Sequence, residues 1–166
     1  NFGIGVQFGI RGLVNNDAAF NAKHHNAHAN YIYLRATADR QQDLVADMRA
    51  AKVDVLVIMG GNPAYDAPTD FGFADAMKSP SVPFRVYLGL YQNETSELCQ
   101  WHVNEAHYLE AWGDTRAYDG TVSIVQPLIA PLYDGKSAHE LVSMLSGQAD
   151  TKGHEIVQAY WKTQHS

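Results

Sequence analysis

The run Val53, Val55, Leu56, Val57, Ile58 and Met59, cut off at once by Gly60-Gly61-Asn62-Pro63, constrains this chain more than anything else in it. A near-continuous β-branched and apolar stretch of that length reads as a strand buried on both faces, the pattern of a central parallel strand. A helical pattern precedes it: Leu44, Val45 and Met48 share one face of residues 37–51, and Asp39 with Gln42 resembles a capping box. Helix, buried strand, Gly-rich turn and helix in succession specify an α/β sheet built through crossovers.

The same unit recurs downstream. A short helix is predicted over residues 70–77, Ser79-Pro80 breaks it, and residues 84–90 supply a second strand ending near Asn93-Glu94-Thr95-Ser96, where a helical turn fits. Upstream, residues 15–30 suit a helix and residues 31–34 a strand. Residues 2–14, weakened by Gly3, Gly5, Gly9 and Gly12, stay unassigned. Residues 101–120 carry aromatics and turn residues without a sustained period and read as an ordered loop. Residues 121–125 form a third strand, and Pro127 and Pro131 keep the following segment out of a central ladder.

Ser137 with Glu140 is a Ser-x-x-Glu capping box for a helix that ends at Gly147, with Leu141, Val142 and Leu145 inward. A last helix over residues 153–162 puts Ile156, Val157, Tyr160 and Trp161 on one side. Together these predict one α/β domain over residues 1–166, with a Rossmann-like open, mainly parallel sheet and helices on both faces. Ligands of such sheets bind beyond the carboxyl ends of the strands, where both 60–63 and 93–96 fall.

Composition removes several classes of function. Twelve Lys and Arg against 18 Asp and Glu give a formal charge of −6, with no basic cluster to engage a phosphate backbone, so nucleic acid is not an expected partner. The longest apolar runs, such as residues 55–59 and 122–125, fall far short of the ~20 residues that span a bilayer, so direct membrane insertion is not expected either. The single Cys99 makes no internal disulfide and supplies no thiolate set for an iron-sulfur cluster or a structural zinc. An opening at Asn1, with neither methionine nor leader, reads as a domain cut from a longer chain.

Four groups of residues are candidates for chemistry. In Gly60-Gly61-Asn62-Pro63 the glycines allow close backbone approach, Asn62 offers both donor and acceptor, and Pro63 stiffens the exit. That suits a nucleotide edge or, equally, a tight turn with no ligand; it is neither a P-loop nor a Gly-x-Gly-x-x-Gly fingerprint. Glu94-Thr95-Ser96 either meets a ligand or caps the next helix. His24, His25 and His28 contain an i, i+4 pair without a Glu between them, and His102, Glu105, His107 and Glu110 form a second cluster in an aromatic stretch. Neither cluster completes a metal or catalytic set, so none is expected.

Longer stretches carry a family resemblance. Residues 59–68, then Glu94-Thr95-Ser96, then residues 107–116 around Trp112-Gly113-Asp114, and residues 119–129 ending in Gln126-Pro127-Leu128-Ile129, resemble the molybdopterin-oxidoreductase-like iron-sulfur subunit of bacterial alternative complex III, in the dimethyl-sulfoxide-reductase superfamily. The resemblance runs on through Pro131-Leu132-Tyr133, residues 135–138 and Glu140-Leu141, and departs where relatives carry a proline before the histidine segment and this chain has Val103-Asn104. It implies that Gly60, Gly61, Asn62, Pro63, Glu94 and Thr95 correspond to loops lining a molybdopterin guanine dinucleotide, a cofactor that this branch has lost, while the iron-sulfur clusters sit elsewhere in the subunit. It further implies an electron-transfer subunit of a quinol-oxidising respiratory complex, exported and held at the periplasmic face of the bacterial cytoplasmic membrane. Its partners would be other domains of that subunit and other subunits of the complex, with this domain a scaffold that binds no cofactor. Alternatives are a functional molybdopterin guanine dinucleotide-binding domain of a catalytic oxidoreductase, and an independent small-ligand-binding α/β module.

Overall fold

A computed structural model describes residues 29–33 and 38–164. The unassigned opening, the histidines at 24, 25 and 28 and most of the helix expected over 15–30 lie outside those residues; the last two positions of that expected helix, Ala29 and Asn30, belong instead to a strand. The described residues fall into two compact units that divide between His102 and Val103.

The first unit is an open α/β fold. Strand β1 (Ala29–Tyr33), helix α1 (Ala38–Arg49) and strand β2 (Val53–Met59) follow one another as the apolar pattern requires. After the Gly-rich turn come a single turn α2 (Pro63–Asp66), a 3-10 turn (Thr69–Phe71) and helix α3 (Phe73–Lys78). Gly72, at φ 61°, separates the last two where one helix was expected from residue 70. Strand β3 (Phe84–Gly89), the turn α4 (Glu94–Glu97) and strand β4 (Trp101–Asn104) complete the series.

The sheet runs in the order β1-β2-β3-β4. Strand β2 pairs in parallel with β1 on one side, Val57 opposite Ile32, and with β3 on the other, Val57 opposite Val86. This central position explains why Leu56, Val57, Ile58 and Met59 are all buried: each face of β2 lacks water, so alternation disappears. Leu44, Val45 and Met48 of α1, Phe73, Ala76 and Met77 of α3, and Val53, Leu56 and Ile58 of β2 form one core.

The second unit departs more from the sequence-based expectation. Residues 101–120, read as loop, contain the whole of β4 and a strand β5 (Gly113–Arg116). The strand expected at 121–125 exists as β6 (Val122–Val125), paired antiparallel with β5, Asp114 opposite Ile124 and Arg116 opposite Val122. Only pairing makes Gly-Asp-Thr-Arg a strand, because it has no apolar alternation of its own. The hairpin turns at Asp119-Gly120, with Gly120 at φ 90° and Thr121 N–H donating to Asp119 Oδ1 at 2.9 Å.

Helix α5 (Ala138–Leu145) starts at the predicted capping box: Glu140 N–H donates to Ser137 Oγ at 3.2 Å and Ser137 N–H to Glu140 Oε2 at 2.9 Å. Leu141 is buried as expected, but Leu145, the last residue of the helix, is 47% exposed. Helix α6 (Gly153–Gln164) buries Val157. Gly135 passes so close to Ala106 that a Cβ there would lie 2.9 Å from the Ala106 backbone N. Lys136 bridges Glu105 at that point. Among the described residues no helix is long and apolar enough to cross a membrane.

Candidate functional site

At the carboxyl ends of β2 and β3, two loops meet through one asparagine. Gly60 and Gly61 both take left-handed dihedrals, φ 67° and 71°, with open space where a Cβ would stand. The pair lets β2 reverse sharply while Gly60 N–H still donates to Leu88 O at 2.8 Å. Pro63, fully buried, opens α2 at a position where its missing N–H costs nothing.

Asn62 then reaches across to the second loop. Its Oδ1 accepts from Thr95 N–H at 3.2 Å and from the Thr95 hydroxyl at 2.7 Å, while its Nδ2 donates to Glu94 Oε2 at 2.6 Å. Thr95, wholly buried, in turn accepts from Ala64 N–H at 3.0 Å. Both lone-pair directions of the Asn62 carbonyl are therefore used inside the protein, and one amide hydrogen remains. Glu94 is exposed, and the Asn62 amide holds its carboxyl below the ordinary value of 4.5. The structure thus brings Gly60, Gly61, Asn62, Pro63, Glu94 and Thr95 into one place, as the sequence suggested.

One participant escaped the sequence reading. Tyr87 donates its hydroxyl to Gly61 O at 2.8 Å and accepts from Asn93 Nδ2 at 2.8 Å, so a side chain from β3 itself ties the two loops. A Cβ at Gly89 would collide with that ring, which crosses the strand there. An aromatic residue followed two positions later by a glycine, at the end of a buried strand, was the available signal. Asn93, one residue before the segment expected to cap, is the cap of α4, its Oδ1 accepting from Ser96 N–H at 3.0 Å, while Ser96 Oγ closes the box by accepting from Asn93 N–H at 2.8 Å.

The cluster at 102–110 does not converge. His102 Nε2 lies 3.0 Å from Gly89 O with its ring tilted on Tyr87. His107 Nδ1 accepts from Leu109 N–H at 3.3 Å, and Glu110 Oε2 from His107 N–H at 3.2 Å. Burial pushes the Glu105 carboxyl above its ordinary range. Among the described residues no three His, Cys, Asp or Glu side chains gather so as to hold a metal ion. Cys99, half-buried beside Arg85, is pushed up to about 11 by that burial, the opposite of an activated thiolate.

The loops themselves set the chemistry available. Residues 60–68 and 89–97 contain Asp66, Glu94 and Glu97 and no Lys or Arg. An anionic acceptor beside open glycine backbone suits a ligand edge that donates hydrogen bonds, and it repels a phosphate.

Fold and loops together define an open α/β domain whose strand-end loops are laced to one another by an inward-turned asparagine. No family model matches the chain. It is similar to the menaquinone reductase, molybdopterin-binding-like subunit, of Nitratidesulfovibrio vulgaris (strain Hildenborough), with 28% identity over 118 residues. That match covers 65% of this chain and 17% of the relative's length.

Proposed function

We propose that the chain is a molybdopterin-oxidoreductase-like domain of an electron-transfer subunit in a quinol-oxidising respiratory complex, of the alternative complex III kind, at the periplasmic face of the membrane. It acts there as a scaffold without a redox centre of its own, packed against other domains of its subunit and other subunits of the complex. The similarity to a molybdopterin-binding-like subunit of a menaquinone reductase supports the general placement. One observation carries the scaffold role: the loops after β2 and β3 hold three carboxylates and no Lys or Arg, and Asn62, their best hydrogen-bonding side chain, is bound to Thr95 and Glu94. A dinucleotide cofactor brings a pyrophosphate, which needs cations or free N–H donors to offset its charge. Those loops instead lock the ends of β2 and β3 in place.

The test is metal and pterin analysis of the full-length subunit purified from its native host. Iron with no stoichiometric molybdenum or pterin is the expected result. One pterin and one molybdenum per polypeptide would defeat the scaffold role and favour a catalytic oxidoreductase.

That second reading has one observation in its favour. Gly60 and Gly61 leave open space beside the Glu94 carboxylate, an acceptor matched to the N–H edge of a guanine. Under it, GDP at ~100 times its dissociation constant adds ~2.7 kcal/mol to thermal stability; under the scaffold reading the melting temperature does not move.

A further inference from the structure

The second unit contains a cleft of about 460 Å³, within the range of small-molecule sites. The indoles of Trp112 and Trp161 line it together with Ile124 and Val157. Both rings are anchored. Trp161 Nε1–H donates to Asp114 Oδ2 at 3.1 Å, and Trp112 meets the His154 ring edge-on, centroids 4.6 Å apart at 67°. Anchored aromatic surfaces lose little entropy when a flat ligand settles on them.

The polar part of the lining is one stripe of α6. His154, Gln158 and Lys162 follow at four-residue intervals, which places them along one helix face. Lys162 Nζ donates to Gln158 Oε1 at 3.2 Å, which takes one of that oxygen's two lone pairs and leaves both Gln158 amide hydrogens and two ammonium hydrogens. Among the described residues no Asp or Glu lines this cleft; Glu110 and Glu140 belong to a separate depression whose described lining shares Trp112 and His154 with it. Apolar aromatic walls with a donor-rich cationic rim call for a flat, apolar ligand carrying an acceptor.

We propose that this cleft binds a planar aromatic carboxylate, its ring against Trp112 and Trp161 and its carboxylate on Lys162. With a net charge of −6 the protein does not gather anions at long range, so the discrimination is local to that ammonium. This site is independent of the strand-end loops and of the respiratory role proposed for them.

The probe pair is 2-naphthoate and its neutral isostere 2-naphthamide, titrated against the protein carrying Trp101→Phe, so that tryptophan emission comes from Trp112 and Trp161 alone. Saturable quenching by the naphthoate is expected, with the amide bound about tenfold more weakly, the worth of a charge-assisted hydrogen bond. Lys162→Gln, at an exposed position, should leave the fold intact and erase the difference between the two probes. Quenching that never saturates, equal affinity for acid and amide, or naphthoate affinity unchanged in Lys162→Gln would each overturn the proposal.

Discussion

Replacing Asn62 by alanine tests whether the two strand-end loops are held through that one side chain. The substitution removes the acceptor for two groups on Thr95, its backbone N–H and its hydroxyl, at a residue with no solvent exposure. Each buried donor left without a partner costs about 1–1.5 kcal/mol, so the pair amounts to about 2–3 kcal/mol. The bond to Glu94 lies at the surface and adds little to that figure. For a chain of this length the loss corresponds to a fall in melting temperature of roughly 4–12 °C.

A second readout separates this account from a general loosening. The folded-state pKa of Glu94 is depressed, so its contribution is present above the ordinary value of 4.5 and is lost as the pH falls below it, through the folded value. Removing the Asn62 amide, the first cause of that depression, should move the Glu94 carboxyl titration back up towards 4.5 in an NMR experiment. Asn62→Asp keeps the acceptor for Thr95 but sets a second carboxylate against Glu94, so its stability should recover as the pH is lowered. A melting temperature within ~1 °C of the parent's, with the Glu94 titration unmoved, would refute the reasoning.

Three further outcomes are expected. Gly61→Ala meets open space but must hold φ near 71°, so urea denaturation should show a loss of about 1 kcal/mol from backbone strain alone, and a neutral result would mean the turn readily adopts another path. Gly135→Ala drives a methyl to within 2.9 Å of the Ala106 backbone, so it should destabilise by about 2 kcal/mol or more and weaken amide-exchange protection of Ala106 and Lys136; unchanged protection there would contradict the close approach. Burial holds the His139 imidazole below its ordinary 6.5, against the opposing pull of Asp114 and Glu140, so the unfolded chain takes up the proton first. Stability should therefore be full above about pH 6.5 and decline as the pH drops below it, and His139→Gln should flatten that slope in denaturation series between pH 5 and 7.5; a slope equal in both proteins would rule out His139 as its source.

Much of the first unit was legible in the residues because its signals are local. The apolar run at 53–59 has one reading once a helix and a Gly-rich turn flank it; in the second unit the Ser137 to Glu140 box, equally local, opens α5 where its spacing says. Gathering the six strand-end residues also followed from sequence, since consecutive parallel strands bring their carboxyl ends to one edge. What those residues do with their hydrogen bonds was not legible. Asn62 and Glu94 lie 32 positions apart, and the same side chains can face a ligand or each other.

The second unit shows the limit more sharply. Asp119-Gly120 announced a turn, but Gly113–Arg116 carries no strand pattern, and it becomes one only because Val122–Val125 supplies the partner. Likewise the histidines and glutamates between 102 and 110, close in sequence, gather into no common site: His102 meets Gly89 O, while Glu110 accepts from the His107 backbone. Periodicity, capping and turn chemistry depend on neighbours a few residues away, and the chain carries that information in itself. Pairing, register and the choice of hydrogen-bond partner are decided by which distant groups share the same dry space, and that exists only after the core has closed.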